Sequence, residues 1–228
     1  MNSEIINTFQ NDKKRILDLC DKIGFNFKQI EDPKPKIAPL IKNLTVEDLQ
    51  ILDASVISAQ ENLNYLFELQ ILNLEKTYIS PKQKALLDLF GYLAFGEGIF
   101  SELVQILTWL LVLNGHDLYD PRKMKFANSY EQTKTIDLYV KLQFLEKHGY
   151  KELADSFDRD LRNCIAHLDF TLDENGNVYR RENAKKSTNI KRLSIDVDKT
   201  MAISYFTFLK TWFAILEILL ESENNNPV

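Results

Sequence analysis

The chain has 228 residues and a formal net charge of −5 at pH 7, which suits one folded domain over 1–228 with a full hydrophobic core. Hydrophobic residues make up 45% of the chain and charged residues 27%, as in ordinary soluble globular proteins. The acidic balance excludes a protein that binds nucleic acid over its whole surface, so any such contact must be local.

The cysteine and histidine content argues against metal or disulfide chemistry. Cys20 and Cys164 are far apart and form no CxxC pair, so we expect buried free thiols in a reducing compartment. The three histidines show no recognisable metal-ligand spacing. The sequence therefore predicts neither a metal site nor a cofactor.

Targeting and membrane signals are weak. The opening residues, 1–4, lack the basic and apolar blocks of a secretory signal. The two most apolar runs, 99–113 and 203–220, contain charged residues and are predicted to be core helices instead of membrane spans. We expect a cytoplasmic protein with no membrane association.

The N-terminal part of the chain predicts helices separated by a proline-rich segment. Residues 1–44 are interpreted as a helix over 2–22 followed by an extended linker, because prolines cluster between 31 and 39. Thr45 is a good N-cap for a long amphipathic helix over 46–76. Ser80 and Pro81 mark the next start.

The helix that begins at Pro81 is predicted to reach Leu113 and is interrupted by Gly91, Gly96 and Gly98. The Gly-Glu-Gly stretch lacks the Lys and Ser/Thr that a phosphate-binding loop needs. Close helix approach or a kink is the favoured use of these glycines.

The middle of the chain predicts a loop over 116–128, a helix over 129–147 and a helical run over 150–168. The loop holds a small basic cluster, Arg122, Lys123 and Lys125. His116 and His148 each stand beside a glycine and are interpreted as surface residues.

The C-terminal third changes character. An Asn-Gly turn between alternating segments predicts a β-hairpin within 169–195, and 191–195 is a candidate further strand. A last helix is expected over 199–221 and a flexible tail over 223–228. The whole pattern predicts an all-α, antiparallel helical bundle with a small β-hairpin insertion.

A polar strip lies along the run 150–168. Its apolar residues recur at intervals of three and four, as on one buried helical face. Arg159, Asn163 and His167 fall on roughly the opposite side, flanked by Asp160 and Arg162. This strip must face solvent, a ligand or a second subunit.

The string Arg162-Asn163-Cys164-Ile165-Ala166-His167 resembles the signature of the HEPN superfamily, in which an Arg is followed after four to six residues by a His. Many members are small helical ribonucleases of toxin–antitoxin and other defence systems. The resemblance implies a HEPN-like bundle, metal-independent RNA cleavage, and a site shared across a homodimer. It also implies an antitoxin or another defence-system partner.

The residues suit that chemistry. Metal-free cleavage needs a base for the 2′-hydroxyl proton, an acid for the leaving oxygen and positive charge on the phosphate. We assign proton transfer to His167, phosphate binding to Arg162, and orientation of the His or the substrate to Asn163. The products would be a 2′,3′-cyclic phosphate and a 5′-hydroxyl. Two copies would supply both the acid and the base.

Other residues bear on the substrate. The stretch after the hairpin turn is rich in cations, and we interpret it as either an electrostatic funnel for RNA or an exposed charged loop. These candidate RNA-binding residues are Arg180, Arg181, Lys185, Lys186, Lys191 and Arg192. Second-tier polar candidates are Glu97, Glu102 and Asp169. Some relatives carry a Tyr at the position of Asp169 that a partner modifies, and Asp169 makes that inhibition unavailable here.

Two alternatives stay open at this stage. The motif could be a solvated helix face in a non-catalytic module for dimerisation or partner binding, with Arg162 paired to Asp158. A nucleotide-binding sensor is the other alternative, and it depends only on the phosphate affinity of the motif.

Overall fold

The structure, a computed structural model, describes residue 14 and the ranges 26–75, 80–181, 192–195 and 197–225. Apart from Lys14, the predicted first helix over 2–22 lies outside these residues, as does Cys20. Over the described residues the protein is mostly helical, as predicted. The helices are α1 (Lys34–Lys42), α2 (Val46–Glu75), α3 (Pro81–Phe95), α4 (Ser101–Leu113), α5 (Tyr130–Lys134), α6 (Leu138–Lys147), α7 (Lys151–Ser156), α8 (Arg159–Ala166) and α9 (Val197–Asn225).

The described chain divides into two compact units, each built from separate stretches of sequence. The first unit contains the described residues of 1–55, 103–154 and 205–228. The second, here called the motif unit, contains those of 56–102 and 155–204.

The proline-rich segment was predicted to be extended, and this prediction was wrong over α1. Pro35 lies in the first turn, where its missing N–H has no helical partner to lose. Pro39 lies inside the helix and removes one backbone hydrogen bond. Ile37 and Ile41 are 0% and 4% exposed. Their burial stabilises the helix, and a prediction based on the prolines alone does not include this contribution.

Two predicted single helices are divided by capping residues. The helix expected over 129–147 breaks before Asp137, whose carboxylate accepts the Tyr139 N–H at 2.8 Å and begins α6. The run over 150–168 breaks before Asp158, which begins α8 in the same way. A capping Asp does not clearly interrupt the apolar periodicity of the sequence. Periodicity alone therefore predicted one continuous helix in each case.

The predicted loop over 116–128 contains a small antiparallel hairpin, β1 (Leu118–Asp120) and β2 (Lys125–Ala127). Short strands of three residues carry too little alternation to be recognised. The last helix also runs further than predicted, because α9 continues to Asn225. Residues 223–225 are therefore helical, and 226–228 lie outside the described residues.

Within the described residues, two helical stretches are long and apolar enough to cross a membrane by length and composition, Pro81–Leu113 and Lys199–Ser222. Of their most apolar windows, 67% and 78% are buried inside the protein. Core helices of soluble proteins pass the same test, so this finding is weak evidence for a membrane location.

In the motif unit, Ser80 and Gln83 form a reciprocal capping box at the start of α3. The helix leads into a π-helical turn, Gly96–Phe100. Such turns interrupt the regular ladder and occur often at functional sites. The helix predicted from Pro81 to Leu113 is therefore interrupted at Gly96 and Gly98, whereas Gly91 lies inside α3.

A three-stranded antiparallel sheet follows the motif helix, in the order β3 (Phe170–Leu172), β4 (Val178–Arg181) and β5 (Arg192–Ile195). The predicted hairpin is confirmed: β3 pairs with β4 across a turn that ends at Asn177. Hydrogen bonds from the turn, first from the Asn177 side chain, lower the pKa of Asp173. At Gly176, φ is +81° and an added Cβ would lie 2.5 Å from the Pro81 carbonyl oxygen, so the turn requires glycine.

Candidate functional site

The start of the motif helix is fixed by a polar cap. The Asp158 carboxylate accepts the Leu161 N–H at 2.8 Å, and the Asp158 N–H donates to the Tyr92 hydroxyl at 2.8 Å. Tyr92 is 1% exposed, and burial raises its pKa to about 12. The hydroxyl therefore stays protonated and holds the first turn of α8 against α3.

Phe157, directly before the cap, anchors α8 in the apolar core of the motif unit. Its ring stacks on Phe100 at 4.5 Å and on Tyr92 at 5.6 Å between centroids. A Cβ added to Gly96 would lie 2.6 Å from the Phe157 ring. Glycine is therefore needed there for the two segments to approach, as predicted for the glycines of this stretch.

This close approach brings the π-helical turn to Arg162. The Arg162 Nε donates to the Glu97 carboxylate, and Nη2 of the same guanidinium contacts the same oxygen. Nη1 donates to the Asn163 side-chain oxygen at 2.7 Å. The Arg162 and Glu97 side chains are 31% and 49% exposed. The guanidinium is therefore oriented by two acceptors at a partly open surface.

His167 occupies the C-cap position of α8 and is exposed. Its N–H donates to the Asn163 carbonyl at 3.0 Å, the last turn of the helix. Leu168 then takes a left-handed φ of +54° and is 61% exposed. The prediction that Leu168 belongs to the buried face was wrong, because the chain leaves the helix at His167.

Cys164 lies on the buried face between Arg162 and His167. Its thiol donates to the Asp169 carbonyl at 3.0 Å, and the Asp169 N–H donates to the Cys164 carbonyl at 2.8 Å. Burial raises the pKa of the Cys164 thiol, which disfavours the reactive thiolate. This cysteine is free and buried, as predicted, and its contacts fix the exit from the helix.

The structure brings three of the predicted polar residues together. Arg162 is hydrogen-bonded to Asn163 and forms an ion pair with the second-tier residue Glu97. The alternative partner Asp158 is used as the helix cap instead. Glu102 lies in the first turn of α4, partly buried, and Asp169 contributes its main chain at the end of the helix.

The predicted RNA-binding residues are only partly described. The Arg180 guanidinium approaches the Asp160 carboxylate at 3.4 Å, so this part of β4 lies beside the first turn of the motif helix. Arg181 and Arg192 are direct partners in the β4–β5 register. Lys185, Lys186 and Lys191 lie outside the described residues.

Sequence reasoning missed Tyr92 and Phe157 as residues that position the motif. The only available signal was the set of aromatic residues that flank the glycines of α3 and the π-helical turn.

Among the described residues, no group of three or more His, Cys, Asp or Glu side chains could hold a metal ion. A scan against protein-family models finds no match, and searches of the curated proteins and of the solved structures find no similar chain.

Proposed function

We propose that the protein is a metal-independent endoribonuclease of the HEPN type, acting as a homodimer in a toxin–antitoxin or phage-defence setting in the cytoplasm. One observation carries the proposal. Arg162 is held by Glu97 and Asn163 on the side of α8, and His167 is exposed at the end of the same helix.

The Arg162 guanidinium retains N–H donors that can bind a phosphate. An arginine has five N–H donors, and three of them point to the contacts with Glu97 and Asn163. The two others, one on each terminal nitrogen, are free to bind phosphate oxygens. Because the orientation is set before substrate arrives, little entropy is lost when the phosphate binds.

His167 is the proposed proton-transfer residue. Imidazole is the side chain that most often acts as general base or general acid in proteins. It would remove the proton from the 2′-hydroxyl, whose oxygen attacks the adjacent phosphorus while the bond to the 5′-oxygen breaks. A second imidazole would protonate that leaving oxygen. The products are a 2′,3′-cyclic phosphate and a 5′-hydroxyl.

The need for a second imidazole is the reason for a dimer, since one α8 offers one histidine. The motif unit has an exposed apolar surface that suits a second copy. Leu87 and Phe90 on α3 are 48% and 46% exposed, and helical spacing places them on the same side as Glu97. A Cβ added to Gly91 would meet nothing within 4 Å, so this side of α3 is open.

The charge around the motif is balanced among the described residues. Arg162 is paired with Glu97, and Arg180 approaches Asp160. Attraction of RNA then depends on the second copy and on the cationic segment 180–192, most of which lies beyond the described residues. This arrangement agrees with a chain of net charge −5 that binds nucleic acid locally.

The test is RNA cleavage in EDTA by the purified protein. We expect cleavage with cyclic phosphate ends, and its loss in His167→Ala and Arg162→Ala. His116→Ala is the matched control, because His116 is also exposed and also follows a helix. Equal cleavage by wild type and His167→Ala would indicate a contaminating nuclease and reject the proposal.

A non-catalytic module for partner binding is the second candidate, favoured by the pairing of Arg162 with Glu97. An ion pair reduces the net positive charge available to a substrate. In this case RNA stays intact under all conditions, while the oligomeric state of the His167→Ala variant is unchanged.

A further inference from the structure

The motif helix α8 ends in a Schellman motif directly after His167. The Asp169 N–H donates to the Cys164 carbonyl at 2.8 Å, and the Leu168 N–H donates to the Ile165 carbonyl at 3.0 Å. These are the two hydrogen bonds that define the motif, and the residue between them adopts a left-handed conformation that glycine or asparagine usually supplies. In this protein the residue is Leu168, with a φ of +54°.

Packing does not explain a leucine at this position. A left-handed φ costs energy for a residue with a Cβ and is rare for a bulky side chain. Burial could offset this cost, but Leu168 is 61% exposed. Its neighbours His167 and Asp169 are exposed as well. Folding alone would therefore favour glycine here, and strained residues of this kind cluster at functional sites.

The position of Leu168 in the fold relates it to the proposed chemistry. In the described part of the chain, the non-glycine residues with a positive φ are Met124 and Leu168. Met124 lies in the β1–β2 turn of the first unit, whereas Leu168 directly follows His167 in the motif unit. Because consecutive Cα atoms are about 3.8 Å apart, the exposed leucine lies within reach of a nucleotide bound at His167.

The part of that nucleotide nearest to the leucine is its base. The C2′ atom of the ribose carries the hydroxyl that His167 would deprotonate, and the adjacent C1′ atom carries the base. Every base has a flat face that can pack against a side chain, and a purine offers a larger face than a pyrimidine. Leucine has no hydrogen-bonding group, so it can distinguish bases by size and not by their donors and acceptors.

We propose that Leu168 packs against the base of the nucleotide whose 2′-hydroxyl attacks, and that this contact favours a purine there. The inference rests on the proposed ribonuclease function and names a specificity-determining residue for it. A second copy of the chain fits this position less well. Leu168 is a single apolar residue between His167 and Asp169, whereas the core of a subunit interface is a contiguous apolar area.

The test is cleavage of random-sequence, single-stranded RNA in EDTA, followed by sequencing of the ends that carry the cyclic phosphate. The terminal base of each such end is the base of the attacking nucleotide. We expect the wild type to prefer purines there about tenfold, as for discrimination by one apolar contact. Leu168→Gly should bring this ratio close to one. The ratio is internal to each reaction, so a smaller amount of folded enzyme would not change it.

Three controls separate the side chain from the backbone. Leu168→Met keeps an apolar side chain and should retain the purine preference. Met124→Gly relieves the other left-handed residue and should cleave with the wild-type preference. Because glycine adopts a positive φ without steric cost, Leu168→Gly should fold with a thermal denaturation temperature no lower than that of the wild type.

The two proposals fail in different ways. RNA left intact by the wild type would reject the ribonuclease function, and this inference with it. Cleavage by the wild type and Leu168→Gly with the same base ratio would reject the role of Leu168 alone. A lower mass of Leu168→Gly in light scattering would also reject it, because Leu168 would then belong to the subunit interface.

Discussion

Arg162 on the motif helix and Glu97 in the π-helical turn form an ion pair between segments that are 65 residues apart in sequence. The pair is possible because Gly96 lets Phe157 pack against the turn. The aromatic packing sets the distance, and the ion pair sets the direction of the guanidinium.

Glu97→Ala tests whether this pair orients Arg162 for function. The pair is partly exposed, so its loss should cost less than about 1 kcal/mol of unfolding free energy. RNA cleavage should fall about tenfold, because the guanidinium gains freedom. Denaturant unfolding measures the change in unfolding free energy, and an RNA cleavage assay measures the change in rate. Faster cleavage in the variant would show instead that Glu97 restrains the site.

Gly96→Ala tests the close approach of the two segments. The added methyl would lie 2.6 Å from the Phe157 ring, so we expect a loss of about 1 to 3 kcal/mol from overpacking. Gly98→Ala is the matched control, since its Cβ meets nothing within 4 Å. It should be neutral or stabilising by up to about 1 kcal/mol, as expected when alanine replaces a helical glycine. Equal stabilities of the two variants in urea would refute the packing argument.

The buried Tyr92 hydroxyl predicts a loss of stability in alkali. Burial raises the pKa of Tyr92 from 10.0 to about 12. The unfolded chain therefore releases this proton at lower pH than the folded chain. The stabilisation is complete below about pH 10 and is lost as the pH rises towards 12, by about 2 to 3 kcal/mol. Tyr92→Phe should show a flatter decline of unfolding free energy between pH 9 and about 11. Parallel curves for the two proteins would contradict the assignment.

Tyr150 in the first unit gives an independent stability prediction. Its side chain is buried, and its hydroxyl has no hydrogen-bond partner among the residues that the structure describes. Burial raises the pKa of Tyr150. Removing an unsatisfied polar group avoids its desolvation cost, so Tyr150→Phe should raise the unfolding free energy by about 1 kcal/mol. A decrease in thermal denaturation temperature would show that the hydroxyl is satisfied in solution.

Phe90→Glu tests the proposed dimer surface. Phe90 is 46% exposed, so a charge there should leave the monomer folded while it disfavours a second copy at this face. We expect light scattering to give the mass of a monomer. We also expect this variant not to cleave RNA. Tyr65→Glu, on an exposed part of α2, serves as the control and should stay dimeric. An unchanged mass for Phe90→Glu would place the interface elsewhere.

The sequence predicts the helical character and the hairpin at Asn175-Gly176, because helical periodicity and turn chemistry act locally. It also singles out Arg162, Asn163 and the second-tier Glu97. It does not predict that Glu97 reaches Arg162, since that contact depends on Phe157 packing against Gly96 across a long sequence separation. The α1 helix and the breaks at Asp137 and Asp158 were missed because tertiary burial and caps outweigh local propensity.

Subunit mixing tests the claim that two motifs compose one site. Wild type is mixed and equilibrated with an equal amount of the Arg162→Ala/His167→Ala double variant, and RNA cleavage in EDTA is followed. If each site needs both copies, only wild-type dimers are active, and activity falls to about a quarter of the unmixed value at the same total protein. A fall to only about a half would mean that each copy works alone and would contradict the shared site.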